Sequence, residues 1–477
     1  MAAVNEEVVA LNAAQKEALL AVDAGCNVFL TGVAGTGKTF TTRAIIERIQ
    51  RRYEQQPTVP LAVTSSTGIT AIQFEQGQTL HSFAGLGLAQ ESMDFIRQKA
   101  LKSRKLRKIW QGIEHLIIDE ISMVDPIFFE KIDMVARVCR KNPTTAFGGV
   151  QVILIGDFAQ LPYVAKGAAQ RPPFLFERPI WEDLHLRMIC LNEVFRQASD
   201  PRFVQLLERV RIGQLSEEDV ETLTARVNAP LKTFTDRGIL PTHLFAINMN
   251  VDEHNHRELA KLPTKEPSQR YQMQRGVVIS GGGSGGGNNN EDSYDMGIVS
   301  KKQEFLSKNC NAVPDIELKI GAQVMLLCNY ALQARLMNGS RGVVVGFQEG
   351  LPVVQFEHMK VLIRKWRWRQ FLREGGDPTG DHVYLEQVPL RLAWALTIHK
   401  SQGQTLDCVR LCLDARSVRE ENMAYVALSR VRSLEGLSLE NFDSRCIRSN
   451  PKVTAFYAQF VVPEGAAVAA VADTADE

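Results

Sequence analysis

The segment GVAGTGKT, residues 32–39, constrains the fold of this chain more than any other feature of its sequence. It fits the pattern GxxxxGK[ST], follows the apolar run NVFL and precedes the helical stretch TTRAIIERIQ. In this strand–loop–helix context, backbone amides curl around phosphate groups at a helix N-terminus, whose dipole favours anions. A Gly-rich helix start without a ligand would leave Lys38 unexplained. We therefore predict a site for nucleotide phosphates and Mg²⁺, formed by Gly32, Gly35, Thr36, Gly37, Lys38 and Thr39.

Short β-branched runs alternate with polar helical stretches over the first 190 residues, as in LAVTSS, HLIIDE and VQVILIGD. This alternation indicates an α/β fold with a parallel sheet. It returns from about residue 386, in LTIHKSQGQTLDCVRLCLD and AYVALSRVRSLEGLSL. With 477 residues, the chain is long enough for about three domains. We predict a first α/β domain at 1–190 and a second at 191–317 and 386–464.

Two segments interrupt the second predicted domain. The tract SGGGSGGGNNNEDS has no means of burying a core and predicts a disordered loop at about 280–293, either an engineered replacement or a natural low-complexity insert. After it, β-rich runs separated by Gly-containing turns predict a small antiparallel β-barrel at 318–385. The small, acidic residues at 465–477 predict a flexible tail.

The composition excludes several classes of protein. Hydrophobic residues make up 45% and charged residues 23%, and no 18-residue apolar span occurs, so we expect a soluble intracellular protein with no membrane partner. Because 55 Lys and Arg balance 54 Asp and Glu, a nucleic acid would have to be bound by local basic patches. Eight scattered cysteines without a CxxC pair indicate reduced thiols and no zinc site.

Polar residues that follow two apolar strands predict a hydrolytic site for ATP. HLIIDE ends in Asp119, expected to hold Mg²⁺ together with Thr39, and in Glu120, expected to polarise the attacking water. VQVILIGDFAQLP leads to Gln160, which is predicted to sense the γ-phosphate. Capping of the loop is the alternative role for Gln160.

Two arginines outside the predicted first domain are candidates for contacts with the γ-phosphate: Arg196 in LNEVFRQ and Arg430 in YVALSR. A motor brings such arginines to the nucleotide from a second α/β domain, whereas a small-molecule kinase needs little beyond the P-loop and its carboxylates. A lone arginine usually forms a surface salt bridge. The interpretation of these two therefore depends on the P-loop and carboxylates that accompany them.

Taken together, GVAGTGKT, SSTGITA, TLHSFAG, IIDEISMV, GDFAQLP, NEVFRQ, LTIHKSQGQTL and YVALSR occur in one order across residues 11–437. This set resembles the petite-integration-frequency (PIF) family of DNA helicases, which belongs to superfamily one and is related to the RecD-like motors. The resemblance implies an α/β fold with two RecA-like P-loop domains, a small wedge insertion at about 86–110, and the barrel at 318–385. It also implies ATP-driven translocation from 5′ to 3′ on single-stranded DNA and unwinding of duplexes, G-quadruplexes and RNA–DNA hybrids in genome maintenance.

The resemblance assigns further roles by position. Gln15 in LNAAQKEAL is similar to an adenine-reading glutamine, and Gly403 and Gln404 lie where the second domain closes on the nucleotide. Gln160, Arg196 and Arg430 resemble the γ-phosphate sensor and two arginine fingers. The implied DNA contacts are Thr67, His81, Ser82 and Phe83 in the first domain, and His399 and Ser401 in the second. A structural role is the alternative for the two histidines.

Two basic segments suggest further contacts with DNA. RQKALKSRKLRKIW, residues 97–110, carries seven basic residues, among them Arg104 and Lys105, and no acidic one. A solvated helix face is the alternative. KVLIRKWRWRQFLR, residues 360–373, interleaves basic and aromatic residues that suit stacking on bases, but one face of this alternation is equally suited to a barrel core.

The predicted partners are single-stranded DNA and forked or structured DNA, and the protein is expected to be a monomer. If eukaryotic, it is expected in the nucleus, the mitochondrion or both. A RecD-like motor subunit of a larger complex and a hydrolysis-poor DNA-binding module remain the alternatives from other functional classes.

Overall fold

A computed structural model describes most of the chain, and the statements below concern the described residues. These are 11–56, 58–71, 74, 77–86, 91–163, 173–231, 240–246, 248–263, 268–279, 296–310, 312–328, 330–331, 334, 336, 340–356, 359–372, 381–414 and 416–460. The predicted loop at 280–293 and the predicted tail at 465–477 lie outside them.

The chain divides into two compact units, each formed by more than one segment. The first unit comprises Met1–Ala229, Cys412–Leu434 and Leu439–Glu477, and the second comprises Pro230–Leu411 and Glu435–Ser438. The sequence patterns predict a boundary at residue 190 and a second domain that includes 386–464. The compact units differ from that division because residues 191–229 and most residues after 411 pack with the N-terminal part of the chain.

The first unit begins with six strands and ten helices along the chain. The strands are β1 (Val28–Gly32), β2 (Leu61–Ser65), β3 (Gln78–Thr79), β4 (His115–Asp119), β5 (Gln151–Ile155) and β6 (Arg187–Leu191). The helices are α1 (Ala13–Asp23), α2 (Lys38–Arg52), α3 (Gly68–Ala71), α4 (Leu80–Ala84), α5 (Met93–Lys102), α6 (Arg104–Gln111), α7 (Pro126–Arg140), α8 (Pro179–Asp183), α9 (Pro201–Arg211) and α10 (Glu217–Thr224).

The six strands form one sheet in the order β3-β2-β4-β5-β1-β6. Every pair of neighbours is parallel. Strands β1, β4 and β5 are buried along their whole length, because helices cover both faces of a parallel sheet. The predicted parallel α/β core is confirmed. Since parallel strands end at one edge, the residues that follow β1, β4 and β5 come together there.

Two hydrophobic clusters cover the two faces of this sheet. Val28 and Leu30 of β1 belong to the cluster that includes residues of α1 and α2. Phe29, between them, points to the opposite face and packs in the cluster that includes α5, α6 and α7. Successive side chains of β1 are thus buried on opposite faces of the sheet. This fixes the strand that leads into GVAGTGKT on both of its faces.

The segment predicted as a wedge is largely helical and consists of α5 and α6. Four residues at helical spacing, Ile96, Ala100, Leu106 and Trp110, are buried in the core of the first unit. The ring of Trp110 packs edge-on against Phe83, with centroids 5.1 Å apart. Most of the basic residues between these anchors, including Arg104 and Lys105, are exposed, whereas Arg107 is half-buried. The helices are therefore fixed by their apolar side and present a basic surface.

The second unit contains fourteen strands, two of which extend beyond it, and three helices among the described residues. The strands are β7 (Thr242–Phe245), β8 (Gln269–Gln272), β9 (Gln274–Val278), β10 (Asp315–Leu318), β11 (Gln323–Leu326), β12 (Arg341–Gln348), β13 (Leu351–Phe356), β14 (Lys360–Leu362), β15 (Trp366–Phe371), β16 (His382–Gln387), β17 (Leu390–Leu392), β18 (Ala395–Thr397), β19 (Val409–Leu413) and β20 (Leu437–Phe442). The helices are α11 (Asn248–Lys261), α12 (Met296–Asn309) and α13 (Ile398–Ser401).

A second sheet has the order β18-β7-β19-β20, and both β18 and β19 are parallel to β7. The return of the α/β pattern late in the sequence therefore corresponds to parallel strands. The strands between 315 and 392 are instead antiparallel, as predicted for the barrel region. Together with β8 and β9, these strands form three groups. The groups are an open five-stranded sheet, β14-β13-β12-β11-β17, a three-stranded sheet, β15-β16-β9, and the pair β10-β8. No closed barrel is found among the described residues.

Strand β15 carries the basic and aromatic alternation noted in the sequence. Trp366 and Trp368 are both half-buried, and the guanidinium of Arg367 lies 4.6 Å from the ring centre of Tyr384 on β16. Arg367 also forms an ion pair with Glu386, which, like Tyr384, lies on β16. The side chain of Arg367, in the middle of this segment, is therefore already engaged in contacts with β16.

The last two helices of the described chain return to the first unit. They are α14 (Met423–Leu428) and α15 (Pro451–Ala458). Val453, Phe456 and Tyr457 of α15 pack in the cluster that contains Phe29. Across the described ranges, no helix combines the length and the apolar character needed to cross a membrane.

Candidate nucleotide site

The loop between β1 and α2 adopts backbone conformations that favour glycine. Gly35 and Gly37 have φ angles of 89° and 83°. A Cβ on Gly35 would lie 2.7 Å from the Cβ of Arg196 and 3.0 Å from Oε1 of Gln197, so this glycine allows a close approach of two chain segments. Gly37 directly precedes α2 as its N-cap. The loop thus ends at a helix N-terminus, as the sequence predicts for phosphate binding.

Lys38 is the first residue of α2, and its side chain folds back over the loop. Its Nζ donates hydrogen bonds to the carbonyl oxygens of Gly32 and Val33, at 2.7 and 3.0 Å. Burial lowers the pKa of Lys38, while the carboxylates of Asp157 and Glu120 counteract this shift. The ammonium group therefore lies among the carbonyls of its own loop, at the end of β1.

Asp119 and Glu120 lie at the end of β4, on the same edge of the sheet. Oδ1 of Asp119 accepts a hydrogen bond from the backbone N–H of Glu120 at 3.0 Å. Burial, and then the charge of Glu120, raise the pKa of Asp119 to about 8. Glu120 has a left-handed backbone (φ 54°, ψ 48°), an uncommon conformation for a non-glycine residue.

The oxygen donors predicted for Mg²⁺ belong to the same unit. Thr39 follows Lys38 on α2, and Asp119 ends β4. Hydroxyl and carboxylate oxygens fit this hard cation, and a buried carboxyl group with a raised pKa gains from a bound divalent charge. The donor set is therefore consistent with Mg²⁺, and its role stays a prediction.

A second buried carboxylate, Asp157, was not assigned a role from the sequence. It follows β5, is 0% exposed, and forms an ion pair with Arg211 at the end of α9, with Nη2 and Oδ1 2.8 Å apart. Burial by itself would raise the pKa of Asp157, but the Arg211 guanidinium holds it below the usual value. The sequence contained a signal for Asp157, which ends the apolar run VQVILIGD as Asp119 ends HLIID.

Tyr457 of α15 joins this ion pair to the central strands. Its ring centre lies 4.2 Å from the guanidinium carbon of Arg211. The hydroxyl group is 2.9 Å from Oγ1 of Thr31 on β1 and accepts a hydrogen bond from the N–H of Phe158 at 2.9 Å. A residue near the end of the described chain therefore fixes the segment that carries Asp157 beside β1.

The two predicted arginine fingers lie in the same compact unit as the P-loop. Nη1 of Arg196 donates to the carbonyl oxygen of Ser429 at 3.0 Å. Arg430 is 1% exposed and donates to the carbonyl of Val426 and to Oγ of Ser429, both at 2.8 Å. The sequence analysis placed both arginines outside the first domain. The segments that carry them instead belong to the first unit.

Arg430 is buried and Arg196 is half-buried, so neither guanidinium has the full stabilisation that it would have in water. Burial lowers the pKa of Arg196 to about 9, and the nearby charge of Arg430 adds to this shift. Burial also lowers the pKa of Arg430, which the charge of Glu120 partly offsets. Like Lys38, both side chains would gain from an added negative charge. The electrostatics of this edge therefore favour an anion.

Helix α14 also contacts the P-loop itself. The hydroxyl of Tyr425, one of its residues, accepts a hydrogen bond from the N–H of Ala34 at 2.9 Å. Burial raises the pKa of Tyr425 to about 12, so its hydroxyl stays protonated and neutral at physiological pH. No separate sequence signal points to Tyr425, which lies within YVALSR.

The remaining nucleotide residues predicted in the first unit are also buried. Gln160 is 4% exposed, and its backbone N–H donates to the carbonyl of Asp157 at 2.9 Å. Gln15 is 2% exposed and forms a reciprocal capping box with Asn12 at the start of α1. The amide nitrogen of Gln15 lies 3.2 Å from the position of a Cβ on Gly37. Both glutamines are thus close to the loop or to the carboxylate segment.

Gly403 and Gln404, together with the predicted DNA contacts His399 and Ser401, belong to the second unit. Oγ of Ser401 donates to the carbonyl of Ile398 at 2.8 Å, and the N–H of Gln404 donates to the carbonyl of Ser401 at 3.0 Å. These local bonds form a compact turn after α13, in which Gly403 has a φ of 77°.

The predicted DNA contacts of the first unit differ in exposure. Oγ1 of Thr67 lies 2.8 Å from Oγ1 of Thr70, and both side chains follow β2. The imidazole of His81 stacks on Phe128 with ring centres 3.9 Å apart, and burial lowers its pKa. Ser82 is exposed. Phe83 is only 6% exposed and packs in the core against Trp110, so the structure argues against contact of this ring with DNA.

The phosphate-binding loop, the parallel sheet and the carboxylates at the ends of β4 and β5 define the first unit as a P-loop nucleotide-binding domain. The model of the PIF1-like helicase family matches residues 10–221, and the model of the 2B domain of the DNA helicase Pif1 matches residues 304–347.

Individual proteins are similar over most of the chain. The Pif1 helicase from Candida albicans has 33% sequence identity and a TM-score of 0.74, with 95% of this chain and 100% of that chain covered. The ATP-dependent DNA helicase PIF1 of Danio rerio is 40% identical over 454 residues, which make up 94% of this chain and 63% of that protein. A Bacteroides Pif1 helicase in complex with ADP-AlF3 and ssDNA has 25% identity and a TM-score of 0.62, with 96% of this chain and 99% of that chain covered.

This chain belongs to the PIF1-like helicase family, which confirms the resemblance inferred from its motifs. It spans just under two thirds of the length of the Danio rerio relative.

Replacement of Asp157 by Asn tests the buried ion pair. We expect the free energy of unfolding of the first unit to fall by about 3–5 kcal/mol at pH 7, because Arg211 stays buried without a counter-charge. Since the pKa of Asp157 is lowered, the stabilisation is fully present above its unfolded-state pKa of about 4 and is lost as the pH falls through the folded-state pKa. Chemical denaturation at several pH values measures the difference.

The matched control is Glu17→Gln, which breaks an exposed ion pair with Arg187. It should change the stability by no more than about 1 kcal/mol. The account of Asp157 would be contradicted if Asp157→Asn lowered the free energy of unfolding as little as this control does. It would also be contradicted if this loss of stability grew as the pH fell below about 4.

Proposed function

We propose that this protein is an ATP-dependent DNA helicase that couples ATP hydrolysis to movement along single-stranded DNA. The observation that carries the proposal is the grouping of three desolvated cations with Asp119 and Glu120 in the compact unit that contains the P-loop. Of these cations, Lys38 and Arg196 are half-buried and Arg430 is buried. Membership of the PIF1-like helicase family supports the DNA-dependent part.

The proposed hydrolysis uses the groups at the carboxyl ends of the strands. Glu120 accepts a proton from the attacking water, and its left-handed backbone conformation follows directly after the end of β4. Asp119 and Thr39 are the residues that would hold Mg²⁺, which neutralises charge on the phosphates when bound. Lys38, Arg196 and Arg430 stabilise the negative charge of the transferred phosphoryl group. The lowered pKa values of these three residues indicate that such a charge would be favoured.

Gln160 is the proposed γ-phosphate sensor of this reaction, and Gln15 is the proposed contact with the adenine. The segment that carries Gln160 begins with Asp157, which the Arg211 ion pair and Tyr457 fix in place. In the second unit, Gly403 and Gln404 are proposed to complete the nucleotide site when the units close. Closure on ATP and reopening after hydrolysis would move two grips on the DNA relative to each other.

The proposed grips are Thr67, His81 and Ser82 in the first unit, and His399 and Ser401 in the second. Hydroxyl and imidazole groups suit contacts with phosphates, which position a strand without reading its sequence. The side chain of Thr67 is linked through Thr70 to Ser65, whose Oγ donates to the carbonyl of Asp119 at 3.2 Å. This connection supports communication between DNA and the hydrolytic carboxylates.

Helices α5 and α6 are proposed as the wedge beside the duplex junction, and the antiparallel sheets of the second unit as the 2B-like insertion. The chain similarity to the 2B-domain model over residues 304–347 supports the latter. We further propose 5′-to-3′ polarity, action on forked DNA, G-quadruplexes and RNA–DNA hybrids, and a role in genome maintenance, in the nucleus, the mitochondrion or both if the protein is eukaryotic. The relative with ADP-AlF3 and ssDNA bound supports nucleotide and single-stranded DNA as ligands.

The minimal functional form is proposed to be a monomer. One related Bacteroides structure, at 25% identity and a TM-score of 0.60, concerns forked dsDNA unwinding by two coordinating Pif1 helicases. A second copy on forked DNA is thus compatible with a monomer that translocates alone.

The rate of ATP hydrolysis with and without single-stranded DNA tests this proposal. We expect strong stimulation by DNA that weakens at high salt, because phosphate contacts release counterions. Lys38→Ala should abolish hydrolysis, and Glu120→Gln should lower kcat by about 10²-fold or more while nucleotide binding is retained. Hydrolysis that does not respond to DNA would contradict the helicase assignment. DNA binding without hydrolysis would favour a binding module, and activity only with copurifying chains would favour a RecD-like subunit.

The basic surface of α6 is tested by the double substitution Arg104→Ala and Lys105→Ala. We expect forked DNA to bind more weakly. The slope of log K against the logarithm of the salt concentration should become shallower by about one to two, because one or two phosphate contacts are lost. The measurement is a salt titration of binding to a labelled fork. Arg51→Ala on α2, whose side chain is 76% exposed, is the control for general loss of positive charge. If both variants have the same slope, the basic face of α6 is a solvated surface that does not contact the DNA.

A further inference from the structure

Gln197 is a completely buried glutamine that the hydrolytic mechanism above does not use. Its side chain is 0% exposed, and its Nε2 donates to the carbonyl oxygens of Ser429 and Val431 at 3.2 and 2.7 Å. These two carbonyls flank Arg430 in the sequence. One amide group therefore holds the main chain on both sides of the proposed arginine finger.

The orientation of this amide is determined by its surroundings. If oxygen and nitrogen were exchanged, Oε1 would face two carbonyl oxygens, which cannot donate a hydrogen bond. In the present orientation Oε1 has no hydrogen-bond donor among the described residues, and it lies 3.0 Å from the position of a Cβ on Gly35. An unpaired buried carbonyl oxygen is unfavourable, so the two bonds to the Arg430 segment are formed at a cost in stability.

The residues beside Gln197 bind the P-loop. The backbone N–H groups of Phe195 and Arg196 both donate to the carbonyl oxygen of Gly35, at 2.9 and 3.3 Å. The guanidinium of Arg196 contacts Ser429, one of the two carbonyls that Gln197 binds. Residues 195–197 therefore connect the P-loop on one side to the segment of Arg430 on the other.

The bonds that Arg430 forms with its own helix end cannot replace this connection. They join its side chain to Val426 and Ser429, which lie on the same short segment. They fix the guanidinium relative to α14. The distance of this segment from the P-loop is set by residues that bind both, namely Tyr425, Arg196 and Gln197. Of these three, Gln197 is the one whose side chain binds both carbonyls that flank Arg430.

We propose that Gln197 is a positioning residue for ATP hydrolysis, which holds Arg430 at the distance from the P-loop that the γ-phosphate of the transition state requires. The proposal rests on the proposed function, since it concerns the same hydrolytic site. It differs from a structural role because the effect of Gln197 passes through Arg430 and is largest in the transition state.

The test compares Gln197→Met with Gln387→Met in the full chain. Gln387 is a matched control in the second unit, because it is also 0% exposed and its Nε2 also donates to main-chain carbonyls, those of Tyr271 and Val313 at 2.9 and 3.0 Å and, at 3.5 Å, that of Pro314. Gln197→Met should lower kcat of DNA-stimulated hydrolysis by about 10–100-fold and change KM for ATP by less than about threefold. Gln387→Met should leave kcat near the wild-type value even if it lowers the unfolding temperature equally.

Two further measurements separate positioning from damage to the fold. The affinity of Gln197→Met for ADP should match that of the wild type, whereas its affinity for ADP with aluminium fluoride should fall by a factor similar to the loss of kcat. In the background Arg430→Ala, the substitution Gln197→Met should lower kcat little further, because its effect passes through Arg430.

A second variant, Gln197→Glu, keeps the size of the side chain if Gln197→Met fails to fold. The ratio of its kcat to that of the wild type should fall as the pH rises. The reason is that an ionised carboxylate would repel the carbonyls of Ser429 and Val431. An unchanged kcat in the folded variants, an equal loss of affinity for ADP and for ADP with aluminium fluoride, or additive effects with Arg430→Ala would each overturn the inference. A wild type without DNA-stimulated hydrolysis would instead overturn the proposed function, and with it this inference.

Discussion

The partial or complete desolvation of three cations at one edge of the parallel sheet governs the arrangement of the candidate site. Lys38, Arg196 and Arg430 are held among carbonyl oxygens, and burial lowers the pKa of each. Water would stabilise these charges better than carbonyl dipoles do, so the unit keeps them at a cost that a bound anion would offset. The carboxylates of the same edge do not remove this imbalance, because Arg211 pairs with Asp157 and burial raises the pKa of Asp119 to about 8.

Segments far apart in the sequence hold these charges in place. Gln197 and Tyr425 connect the P-loop to the segment of Arg430, and Tyr457 of α15 joins the Asp157–Arg211 pair to β1. The first unit therefore includes residues that follow the whole second unit in the chain. Its nucleotide edge is complete only when residues 412–434 and the last helix have returned to it. Hydrogen bonds of Tyr425 and of the backbone of residues 195–196 join the P-loop to the segments that carry the two arginines.

Local patterns predicted the parts of this site that are continuous in sequence. The loop GVAGTGKT and the pair Asp119–Glu120 were identified because an apolar strand precedes each, and the parallel sheet followed from the same runs. The partners of Asp157 could not be predicted, since Arg211 and Tyr457 carry no local signal and are brought there by folding. The same reason explains why Arg430 was assigned to the other domain. Antiparallel strands were predicted for the barrel region, but closure depends on register across the sheet, which no single strand encodes.

The most direct test of the central claim is the unfolding temperature of the wild-type protein with Mg²⁺ and saturating AMP, ADP or a non-hydrolysable ATP analogue. Ligands that bind the folded state stabilise it according to their affinity and concentration. If the buried cations are retained for the terminal phosphates, the stabilisation at equal ligand concentration should increase from AMP to ADP to the ATP analogue. Equal stabilisation by all three nucleotides, or none by the analogue, would contradict the account.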